Sequence, residues 1–178
     1  MMRWPLALGL GAGLLAISAA ARAEELPLRK AGLWEMKITK VGGSVPEMTM
    51  QHCTDPTTDR EMNNSVSPLA KQICTKQDIR KTATGYVTDS VCSVAGVSMT
   101  THAEISGDFN SGYTVTSTAH SDKGPGGKPL DATTRIQAKW LGDCQPGQKP
   151  GDVVMPGGFK MNVKDAEKLK NLIPSQNK

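Results

Sequence analysis

From Gly32 onward the chain alternates apolar and polar residues with a period of two. Trp34, Met36 and Ile38 fall on one side of the run Gly32–Val41, and Glu35, Lys37 and Thr39 fall on the other. That period belongs to a half-buried β-strand. After the turn Gly42-Gly43-Ser44, a second strand, Val45–Cys53, sets Met48, Met50 and His52 on one face. Thr54-Asp55-Pro56 then starts a helix, with a capping side chain before a proline in the first turn. The helix runs to about Asn64 and is polar, so it is expected on the surface. Strands follow at Cys74–Thr82, Tyr86–Ala95, Val97–Ser106, Tyr113–Ser121 and Ala132–Leu141, separated by turns such as Ala83-Thr84-Gly85 and Gly107–Gly112.

About seven strands with short connections and no interleaved helices predict a mainly β fold, an antiparallel meander. Apolar side chains on one face only would curl it into a barrel or half-barrel. Trp34 and Trp140, on the first and last strands, are expected to meet where the barrel closes. Gln145–Gly158 is rich in proline and glycine and lacks a period, and Asn162 is placed to cap a final helix, Val163–Leu172. Three regions result: a leader at 1–23, a β domain at 24–144, and a tail with a short C-terminal helix at 145–178.

The leader changes the setting. Arg3 precedes a nearly unbroken apolar run from Trp4 to Ala21, and Ala21-Arg22-Ala23 fits the small-residue rule for cleavage of a secretory signal peptide. Removing 23 residues from 178 leaves 155, one domain's worth, with no membrane span after cleavage. Loss of Arg3 and Arg22 leaves 19 basic against 17 acidic residues. A net charge near +2 without basic clusters excludes a nucleic-acid partner. Leu, Ile, Val and Phe supply only 27 of those 155 residues, so the core is thin. Disulfides offset a thin core in an oxidising compartment, and Cys53, Cys74, Cys92 and Cys144 are an even set without a C-x-x-C.

Three connectivities are open to four cysteines. A hairpin turning near residue 83 sets Cys74 opposite Cys92, within bonding reach. Ile79 then falls near Val87, and Cys53 is left to Cys144. A register slip of one residue would undo this argument.

Gly32-Leu33-Trp34-Glu35, Cys53-Thr54 and Lys139-Trp140-Leu141-Gly142-Asp143-Cys144, in this order after a leader, resemble a family of small exported bacterial proteins known only as a domain of unknown function. The likeness covers about residues 29–145. It implies a Gram-negative periplasmic location and a four-cysteine β domain, and it brings no catalytic residues. Gly32-Leu33-Trp34 is also similar to the G-x-W that opens the first lipocalin strand, a motif with only two fixed residues.

Candidate chemistry is sparse. Met48, Met50 and His52 put two thioethers and an imidazole on one strand face, a donor set suited to Cu(I); the same methionines also serve as flexible core fillers. His102 and His120 face the polar side on adjacent strands, diagonal to each other. The chain has no G-x-S-x-G, S-x-x-K, H-E-x-x-H, P-loop or dinucleotide motif. The expected protein is therefore a non-enzymatic periplasmic binding domain without a cofactor, taking a small apolar ligand or envelope lipid. The alternatives are an interaction module for another envelope protein and a Cu(I) carrier.

Overall fold

The structure, a computed structural model, describes residues 24–43, 46–62, 73–94, 96–124 and 127–165. The expected leader, and the final helix past residue 165, lie outside the described residues. All seven predicted strands are present: β1 (Gly32–Val41), β2 (Met48–Thr54), β3 (Cys74–Lys81), β4 (Gly85–Val94), β5 (Val97–Asp108), β6 (Gly112–Ser121) and β7 (Leu130–Gly142). Two more, β8 (Asp152–Val154) and β9 (Lys160–Asn162), come from the segment read as an aperiodic tail. Strands of three residues are too short to show a period of two, so the sequence pattern carries no trace of them.

The strands form one antiparallel sheet in the order β3-β4-β5-β6-β7-β1-β2-β8-β9. The barrel expectation is corrected here: the sheet is open, with β3 and β9 as its edges. β2 does not meet β3, because its free flank is taken by β8, through Gln51 opposite Val154 and His52 opposite Val153. A disulfide between Cys53 and Cys144 holds the start of that added segment against the end of β2. Trp34 and Trp140 do stand at paired positions of β1 and β7, yet the seam they mark is internal to an open sheet and closes nothing.

That seam needs glycine at its lower end. Gly32 has φ +127°, and a Cβ there would lie 2.2 Å from the Gly142 carbonyl oxygen, a clash with backbone that cannot move aside. Above it the two indoles tie down the lead-in. Trp34 Nε1 donates to the Lys30 carbonyl at 2.8 Å, Trp140 Nε1 donates to that of Ala31 at 3.0 Å, and the Lys30 ammonium sits 3.5 Å from the centre of the Trp140 ring. The lead-in also reaches the far edge strand, where Lys81 N donates to the Glu24 carboxylate at 2.9 Å.

In the β3–β4 hairpin the register differs from the simple count. Ile79 faces Thr88 and Arg80 faces Val87, which puts a two-residue turn at Ala83-Thr84. This register alone would leave Cys74 one residue out of step with Cys92. An irregularity between Cys74 and Lys76 absorbs the offset, and the two cysteines are directly opposed and bonded.

Residues 56–62 are helical. Asp55 caps them: its carboxylate accepts from Thr58 N and Thr58 Oγ1, both at 2.7 Å, and these bonds hold its carboxyl below the usual range. The expected surface position of this helix is corrected as well, since Thr58 and Asp59 are buried.

Candidate functional site

Residues paired across antiparallel strands share a face, so the registers sort the sheet into two sides. One side carries an apolar row across six strands: Met48, Ile38, Ile136, Val115, Ile105 and Tyr86 are successive cross-strand partners from β2 to β4. Of these only Ile105 is fully buried; the other five are half-buried. The next row begins Met50, Met36, Ala138, Tyr113. Below it the face is covered. Trp34 and His52 are wholly inaccessible to solvent, and Trp34, Tyr113, Phe109 and Tyr86 form a chain of ring contacts with centroids 4.9 to 6.1 Å apart.

The cover at this lower end is polar inside. Arg29, from the lead-in, donates to Asp59 of the helical turns through Nε at 2.7 Å, and its Nη2 lies 2.6 Å from the same oxygen. The Arg29 backbone N donates to the second Asp59 oxygen at 2.8 Å. Both side chains are at least nine-tenths buried. A buried ion pair persists only where further hydrogen bonds satisfy it, and Asp59 accepts from Arg29 three ways. Arg29 Nη2 also donates to His52 Nδ1 at 3.1 Å. Burial first, and the Arg29 charge second, lower the His52 pKa to about 4. Neutral His52 accepts at Nδ1, so its proton sits on Nε2, a buried donor with no partner within the described residues. Burial raises the Tyr113 phenol above its ordinary value.

The family described as "protein of unknown function (DUF3617)" matches residues 29–144. The chain belongs to the DUF3617 family. The matched stretch runs from Arg29 of the buried pair to Cys144 of the long bridge, and takes in β1 to β7; β8 and β9 lie beyond it. No curated protein and no solved structure matches the chain.

Within this DUF3617 domain, Met48, Met50 and His52 share the apolar face, with Met48 and Met50 half-buried and His52 buried. Because Arg29 donates to Nδ1, the nitrogen open to a metal carries a proton. Ligation there would require the Arg29 bond to break or the ring to become imidazolate. Among the described residues no group of three or more His, Cys, Asp or Glu side chains is placed to hold a metal ion. No helix among them is long and apolar enough to cross a membrane.

On the polar side, His102 and His120 are diagonal, His102 facing Thr118 and His120 facing Thr100. Each has a carboxylate that the sequence reading missed, because the partner lies across the next strand. His102 Nδ1 is 2.7 Å from Asp89, and His120 Nδ1 is 2.7 Å from Asp131. Those hydrogen bonds raise both imidazole pKa values. Both imidazoles are about half exposed, and the pairs are arranged as solvated ion pairs. The Arg29–Asp59 pair had no signal either, since thirty residues and no motif separate its partners.

Proposed function

We propose that this DUF3617 protein is a non-enzymatic binding protein of the periplasm that holds an apolar chain, from a small apolar ligand or an envelope lipid, on the apolar side of its sheet. The observation that carries the reading is the six-strand row from Met48 to Tyr86, which leaves five of its six side chains only half-buried. A face of that kind gains from covering, at about 25 cal/mol for each Å² of apolar surface removed from water. Its methionines adapt to chains of differing shape. Two disulfides fit an oxidising compartment.

Native mass spectrometry of the mature protein from its own envelope is expected to show a co-purifying apolar molecule. A fluorescent fatty acid should bind the stripped protein saturably, and Met50→Lys should weaken it without lowering the melting temperature. Bare protein that takes up no probe overturns the reading.

One observation favours a second reading, an interaction module for another envelope protein. Phe159, just before the edge strand β9, and Met161, at its centre, are 66% and 43% exposed, apolar residues beside backbone groups open to a further strand. If a partner is captured, and lost on Phe159→Ser, this second reading replaces the first.

A further inference from the structure

The polar side of the sheet holds an open depression of about 540 Å³ over β5, β6, β7 and β1. Register puts Ser106, Thr114, Gln137 and Lys37 in one cross-strand row along it. The next row runs Asp108, Gly112, Lys139 and Glu35. The Asp108 carboxylate is taken up by Asn110 and Ser111 and does not line the hollow, and the missing side chain at Gly112 leaves the surface low between Ser106 and Lys139. Two hydroxyls, an amide and two ammonium groups therefore converge on one hollow, against a single carboxylate.

These groups differ from their neighbours on the same side. In the rows that hold the two histidines, polar side chains satisfy each other: His102 with Asp89, His120 with Asp131, and Thr118 with Thr133 at 3.2 Å. Among the described residues, none of the six side chains around the hollow makes a hydrogen bond or ion pair. Glu35 stands directly opposite Lys139, yet no ion pair forms. The side chains that line the hollow, Lys37 and Lys139 against Glu35, thus present hydrogen-bond donors and a charge of about +1 among themselves to a ligand rather than to the protein. It has no aromatic side chain exposed for stacking a sugar ring, since Tyr113 turns to Phe109 on the far side.

We propose that this hollow is a binding site for a small phosphate- or carboxylate-bearing polar molecule, separate from the apolar side of the sheet. Lys37 and Lys139 meet the anion, and Ser106, Thr114 and Gln137 donate to its oxygens or to hydroxyls beside it. Glu35 limits the site to ligands that carry a donor next to the anionic group.

The test titrates mature protein with glycerol 3-phosphate by calorimetry, with glycerol as the neutral control, and separately measures binding to vesicles with and without phosphatidylglycerol. The paired change Lys37→Ala and Lys139→Ala is compared with Lys76→Ala and Lys81→Ala, which removes equal charge from exposed β3. Equal melting temperatures exclude a folding defect. The hollow variant is expected to bind about tenfold more weakly, and the β3 variant to bind as the parent does. Binding of the soluble phosphate, lost on the hollow variant, assigns a free anion; binding of anionic vesicles alone, lost the same way, assigns a lipid headgroup. Equal loss in both variants, or no binding to either probe, overturns the site.

Discussion

Removing one half of the Arg29–Asp59 pair and removing both halves are different experiments. Asp59→Ala leaves a guanidinium buried without its counter-charge, and is expected to cost about 3–5 kcal/mol. The double change Arg29→Leu with Asp59→Leu removes both charges and should cost less than Asp59→Ala alone, because nothing charged is left dry. Urea denaturation of the two variants checks this, and a double variant weaker than Asp59→Ala would show that the lead-in is held by the charges themselves. His52 depends on the same pair: Arg29 supplies the donor that fixes its tautomer. Changes at Asp59 should therefore couple to changes at His52, as members of one network do.

At the scale of elements, the two bridges close loops of 91 and 18 residues. Loop-closure entropy gives them about 4.6 and 3 kcal/mol respectively. Replacing Cys53 and Cys144 by serine is expected to lower the melting temperature more than replacing Cys74 and Cys92, with β8 and β9 losing amide-exchange protection first. Seven strands were legible because each is seven residues or longer and has one wet face, so its period of two is written in the chain. β8 and β9 were not, being fixed by Asp152, which accepts from Lys149 N and Asn162 Nδ2 at 2.8 Å and pairs with Lys160 at 2.7 Å. Buried Thr58 and Asp59 escaped because a polar helix gives no sign of packing against a distant arginine. Open against closed was equally hidden: the alternation of a strand says which side is dry, not which strand lies beside it. The Cys74–Cys92 pairing was reached from a register one residue away from the real one, and an irregularity at Thr75 made up the difference.

For the whole molecule the titrating groups act in separate pH windows. His52 has a folded pKa below its ordinary 6.5, so the unfolded chain binds the proton more readily, and stability present above pH 6.5 is lost as pH falls toward 4. Over that window the loss is about 3 kcal/mol. Asp152 behaves as a carboxylate of depressed pKa: burial works against ionisation, but its bonds to Lys160, Asn162 and Lys149 outweigh it and bring the value to about 2. Its contribution is lost only as pH falls from 3.8 toward 2. His102 and His120 have raised values, so their smaller, exposed contributions hold below pH 6.5 and fade as pH rises through the folded pKa. Stability should peak near neutrality, and His52→Gln should flatten the limb between pH 6.5 and 4 while leaving the limb below 3.8 in place. Melting temperatures across that range decide it.

The irregularity beside Cys74 has a consequence for how the chain matures. β3 is an edge strand, and a slide by one residue would exchange its two faces while keeping most of its backbone pairing. The alignment one residue over opposes Cys74 and Cys92 with no irregularity at all, so the sulfurs can meet in either. Closing the bond therefore does not choose which face of β3 turns inward; the side chains along the strand do. The irregularity is slack in a tether: it lets a chain that has already oxidised Cys74 and Cys92 shift the rest of its outermost strand by one residue without breaking the bond.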